Sequence, residues 1–136
     1  MLRGFWTVVV LAGLAGCSSG EHMATAQQGV AEFRGLMQSR QFAQVYAASS
    51  DEFRKATSEA DLVRVLGALD KKLGSAKKAE PNGWNVNFQS SGTFVTLGFK
   101  TEFEKGSGAE QFVFRVADGR AALVSYNVNS PALLTN

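Results

Sequence analysis

Few side chains in this 136-residue chain are of types that do chemistry. It has one cysteine, Cys17, and one histidine, His22, five residues apart near the N-terminus. One imidazole and one thiol supply neither a ligand set for zinc nor a nucleophile–base–orienter arrangement elsewhere in the chain. Carboxylates are the next candidates. Glu102 and Glu104 lie two apart, so a strand puts them on one face, where paired acids can serve as acid and base. Thr96 and Lys100 fall on that same face, which reads as a solvated outer surface. Asp51, Glu52, Glu59 and Asp61 read as helix-start charges. Tyr46 and Tyr126 sit on apolar stripes, the pattern of core residues whose hydroxyls reach the rim. The aromatic set holds the remaining candidates. Trp84, Phe99, Phe114 and Tyr126 are the residues expected to line a pocket for an apolar ligand, with core packing as their ordinary role. "GSG" (106–108) precedes a strand and not a helix, so it is a hairpin tip and no phosphate cradle. No metal and no cofactor is expected.

The elements that must position these residues begin with a stretch that is not part of a domain. Residues 1–16, "MLRGFWTVVVLAGLAG", carry Arg3, then about ten mostly apolar residues, then small ones: the layout of an export signal. The run is shorter than the roughly 20 apolar residues that a spanning helix needs. "LAGC" follows, with Leu14, Ala15 and Gly16 before Cys17. This stretch resembles the lipobox of bacterial lipoproteins. The resemblance implies that a signal peptidase recognises Leu14, Ala15 and Gly16, and that Cys17 is diacylated and becomes the new N-terminus. Several acyl chains anchor firmly, at about 0.8 kcal/mol per buried CH₂. Ser18 resembles the pattern that sorts such proteins to the outer membrane, facing the periplasm. Acylation leaves no free thiol in the mature chain, as suits an oxidising compartment.

The mature chain has the size of one domain, and nine of the ten Phe residues lie in it and can fill a core. Fourteen basic residues face twelve acidic ones, and Arg3 is the one charged residue in 1–16. Such a balance, with no basic stripe interleaved with aromatics, argues against nucleic acid as a partner. Residues 17–25 read as the lipidated Cys and a flexible tether, 26–130 as the domain, and 131–136 as a C-terminal tail.

Within the domain the period changes once. Val30, Phe33, Leu36 and Met37 share a helix face, Phe42, Val45 and Tyr46 continue after a break at Ser39-Arg40, and "SSDEF" starts a short helical turn. "SEADLVRVLGALDKKLG" (58–74) carries an N-cap Ser58, the stripe Leu62, Val65/Leu66, Leu69 and Leu73, basic residues in its last turn and Gly74 beyond. After Gly74 the alternation is twofold: Trp84, Val86, Phe88; Val95, Leu97, Phe99, Phe103; Phe112, Phe114, Val116; Ala122, Val124, Tyr126, Val128. "SAKKA" (75–79) is a further edge strand, and "EPNG" a turn after it. Helices followed by strands predict an α+β fold, with N-terminal helices packed on a curved antiparallel sheet of four to five strands.

"FRGLMQSRQFAQVYAASSDEFRKATSEADLVRVLGALDKKLG", "GTFVTLGFKTEF" and "DGRAALVSYNV" together resemble the nuclear-transport-factor-2-like (cystatin-like) superfamily, and within it small bacterial envelope proteins of uncharacterised function. The resemblance implies a cone whose mouth holds His, Asp or Tyr where the member is an enzyme. This chain's lone His22 falls in the expected tether, where no scaffold would hold it. The expectation is therefore a non-enzymatic, lipid-anchored binding module, with the membrane bound through Cys17. Its other partner is a periplasmic protein or an apolar small molecule. Two alternatives stand beside it: a ligand-binding protein that uses the cone pocket, or an inhibitor or immunity-type partner of a periplasmic enzyme.

Overall fold

The change of period at Gly74 is the boundary between two layers. The computed structural model describes residues 19–135. Before Gly74 it has α1 (Ser19–Gln38), α2 (Phe42–Ala47), α3 (Asp51–Ala56) and α4 (Glu59–Leu73). After it come β1 (Ala76–Gln89), β2 (Gly92–Phe103), β3 (Gly106–Ala117) and β4 (Arg120–Asn129), then a 3-10 turn at Pro131–Leu133. The strands form one antiparallel meander in the order β1-β2-β3-β4, so β1 and β4 are its edges. The molecule is an α+β fold with helices on one face of a four-stranded sheet, as the alternation required. Among the described residues no helix is long and apolar enough to cross a membrane. Residues 1–16 and Cys17 lie outside the described residues.

Local chemistry accounts for the helix ends. The Ser58 hydroxyl accepts the Asp61 N–H at 3.2 Å, and the Ser50 hydroxyl accepts that of Phe53 at 3.2 Å, each an N-cap. Gly74 closes α4 with φ of 72°, and a Cβ there would come 2.9 Å from the Glu104 Cβ. Leu62, Leu66 and Leu73 on α4 are buried. Leu62 and Leu66 join Ala26, Val30, Phe33 and Val45 from α1 and α2 against Val95, Leu97, Phe112, Phe114, Val116 and Leu123 from the sheet.

Three departures from the sequence reading have physical causes. The expected tether over 17–25 is helical from Ser19. Ala26 is fully buried and Met23 packs on the core, so tertiary contact carries the helix back through a stretch of mostly modest propensity. "EPNG" is no turn. β1 runs through it with a register shift between Pro81 and Trp84, and Pro81 is tolerated because β1 is an edge. Gly98 on β2 makes room, since a Cβ there would lie 2.3 Å from the Asn82 carbonyl oxygen. In β4 a bulge opposite Val113/Phe114 changes the phase, pairing Tyr126 with Phe112 but Leu123 with Phe114. Leu123 and Ala121 therefore face the core with Tyr126, in place of the expected Val124 and Ala122.

Candidate functional site

Glu110 begins the inward stripe of β3, in phase with Phe112, Phe114 and Val116, and is 3% exposed. A carboxylate in that position must be neutralised and fully bonded. Three other elements do this. Arg34 of α1 donates to both carboxylate oxygens, through Nη2 to Oε1 at 2.8 Å and Nη1 to Oε2 at 3.4 Å. The Thr101 hydroxyl of β2 donates to Oε1 at 2.5 Å, and the Tyr126 hydroxyl of β4 to Oε2 at 2.6 Å. The guanidinium also lies 5.5 Å from the Phe99 ring centre and 5.6 Å from that of Phe112, over their π faces. Burial first, then the Glu110 charge, push the Tyr126 phenol far above its ordinary value of 10, so it stays a donor. Each carboxylate oxygen thus accepts two hydrogen bonds, and the cavity beside the cluster is about 30 Å³, the size of a water molecule. The cluster ties helix to sheet.

The rings of Tyr126 and Phe33 also line a larger space on the other side. Between α4 and the β4 edge runs a groove of about 260 Å³, with Phe53, Val65, Leu69, Val128 and Leu133 along it. Asn127 is the polar residue beside the Tyr126 ring in its lining. Val65 is half exposed at its rim.

The four residues expected to line one pocket do not meet in one. Phe112, fully buried, occupies the space between three of them. Its ring centre is 5.8 Å from that of Phe99, 5.9 Å from Phe114 and 4.8 Å from Tyr126. Phe114 packs under α1, where a Cβ on Gly29 would come 2.8 Å from its ring. Tyr126 alone of the four reaches the groove. Trp84 lies on the edge strand and is 68% exposed. Glu102 and Glu104 are both exposed, and Glu104 Oε1 accepts the Ser75 N–H at 3.2 Å, a link between the start of β1 and the end of β2. His22 stands in α1 with its ring edge-on to Phe88, centres 5.7 Å apart. Among the described residues no cluster of His, Cys, Asp and Glu could hold a metal ion.

Sequence reasoning missed Glu110, Arg34 and Thr101. One signal was present: Glu110 occupies an inward position of an otherwise apolar alternation. Its partners come from three other elements and become neighbours only through the strand register.

No family model matches the chain, and no curated protein matches it. Among solved structures it is similar to Aln2 from a Streptomyces species, with a TM-score of 0.55 and 14% identity over 86% of this chain and 96% of that one. At that identity the likeness speaks for the shared α+β fold alone.

Proposed function

We propose that the chain is a lipid-anchored binding module of the bacterial cell envelope, held in the outer membrane through Cys17 and facing the periplasm. In this reading its cystatin-like cone works by binding, without catalysis. The groove between α4 and β4 receives apolar side chains of a protein partner, such as a periplasmic enzyme that the module restrains. The groove is the observation that carries the reading: about 260 Å³, mostly apolar, between α4 and the β4 edge. Pockets for small molecules start at about 300 Å³ and enclose most of the ligand. A groove of this size suits one or two side chains of a partner better. The LAGC stretch supports the anchor.

Two measurements test the two parts. Cys17→Ala should abolish metabolic labelling with a radioactive fatty acid and leave unprocessed precursor in the cell; continued labelling of the variant rules out the anchor. Val65→Lys places a charge at the groove rim on a half-exposed residue, so stability should change by no more than about 0.5 kcal/mol. The probe is anilinonaphthalene sulfonate, an apolar fluorophore, titrated onto the native fold. The parent chain should bind it saturably, and Val65→Lys should weaken binding by about tenfold, or 1.4 kcal/mol. Equal binding by both proteins would remove the groove from the proposal.

A further inference from the structure

Two large aromatic side chains are left uncovered at one place on the molecule. Trp84 is 68% exposed and Phe88 is 60% exposed, with Val86 between them on the same face of β1. They pair with Leu97 and Thr93 of β2, both buried, so they belong to the inner, helix-covered side of the sheet. At the β1 edge the cover stops. The His22 ring against Phe88 shows where: Phe88 lies beside the first turns of α1.

That end of α1 is also where the anchor enters. Ser19 precedes His22 by three residues, a rise of about 4.5 Å along a helix. Cys17 lies two residues before Ser19 and can be no more than about 7 Å from it. The residue proposed to carry the lipid is thus within about 20 Å of the Phe88 ring, by chain reach, helix rise and the His22 ring contact. Two residues leave little slack between bilayer and domain. A protein partner covering Trp84 and Phe88 would have to fit into that gap, whereas the bilayer surface is already there. The interfacial layer is about 5–7 Å deep on each side of the hydrocarbon, and Trp is a side chain that favours it. On the other face of the same edge strand, Asn85, Asn87 and Gln89 are polar and uncharged, so no charge of this stretch of β1 opposes its edge lying against that layer. Glu21, in the first turn of α1, is the acid near this end, and a carboxylate can remain at headgroup level.

We propose that Trp84 and Phe88 are a second membrane contact, seated in the interfacial layer of the bilayer that holds Cys17, so that the domain stands in one orientation with the N-terminal end of α1 toward the lipid. The inference rests on the anchor proposed above. The edge of β1 then faces the membrane, and the α4–β4 groove, at the opposite edge of the sheet, is left to the periplasm.

The mature protein from Cys17 onward contains every described residue, and Trp84 is its one tryptophan, the other being Trp6. Coupling the Cys17 thiol to a maleimide-headed lipid in phosphatidylethanolamine–phosphatidylglycerol vesicles supplies an anchor whether or not cells acylate the residue. On coupling, Trp84 emission should move to the blue, acrylamide quenching should fall several-fold, and lipid brominated near the headgroup should quench it. Phe88→Ser, a change at an exposed position that leaves the fold intact, should reduce the quenching by brominated lipid. Emission and acrylamide quenching that stay unchanged on the coupled protein would overturn the proposal. So would a blue shift without quenching by brominated lipid, which would mean that a second copy of the chain covers Trp84. Failure of fatty-acid labelling at Cys17 in cells would remove the anchor itself, and leaves the coupled-vesicle result to be read independently.

Discussion

Glu110→Ala should destabilise the fold by about 3–5 kcal/mol, a large share of the roughly 5–15 kcal/mol that holds a domain together. The reason is what the substitution leaves behind. Arg34, whose side chain is 21% exposed, keeps its charge among the Phe99 and Phe112 rings without a counter-ion. The Thr101 and Tyr126 hydroxyls lose their acceptor, and each such loss costs about 1–3 kcal/mol where water cannot replace it. The missing side chain also opens a hole beside the fully buried Phe112. The double variant Arg34→Met with Glu110→Leu should be less destabilised than Glu110→Ala, although it changes more atoms, because it removes both halves of the ion pair. Urea midpoints of the parent and both variants measure this order. A Glu110→Ala protein within about 1 kcal/mol of the parent, the size of an ordinary substitution, would mean that water reaches the cluster and that the tie between α1, β2, β3 and β4 is not made as described.

The same cluster shows how far sequence reasoning reaches. Local signals were legible where one short stretch contains the whole cause. Ser58, Asp61 and Gly74 mark the ends of α4 because a cap is made by residues within three or four positions of each other. The strands were legible because alternation is a property of each strand alone. What failed depended on pairing. The β4 bulge has no Gly or Pro to announce it, and it arises from the register with β3, so the inward set came out as Ala122 and Val124 instead of Ala121 and Leu123. Trp84 alternates correctly with Val86 and Phe88, yet alternation cannot say that helical cover ends before the edge strand. The extent of α1 was missed for a similar reason, since Met23 and the small residues around it look like tether until the sheet beneath them is known. For the candidate site, the sequence yielded Tyr126 and the expectation of an apolar cavity. The groove's other wall, α4, could not be assigned to it until the helices were placed on the sheet.

Leu66→Asp should abolish cooperative folding. Leu66 is 1% exposed on α4, in the buried cluster shared with Phe33, Val45 and Leu123. Truncating its contacts forfeits about 1.5–3 kcal/mol of burial. Placing a carboxylate there without a partner adds several kcal/mol more, and a group so placed either shifts its protonation or drives the helix off the sheet. The total is comparable to the whole margin of a domain of this size. The neighbouring residue supplies the control. Val65 is one position away, about 100° around the helix, and half exposed, so a charge there should leave the melting curve near that of the parent. Thermal unfolding followed by circular dichroism separates the cases: a lost transition for Leu66→Asp and a retained one for Val65→Lys. A native melting curve for Leu66→Asp would mean that α4 presents a different face to the sheet, and the groove beside it would then be misplaced as well. The contrast between the two neighbours is therefore what makes Val65→Lys informative about binding. Only if position 66 is closed to charge and position 65 tolerates it does weaker probe binding report on the groove rather than on the fold.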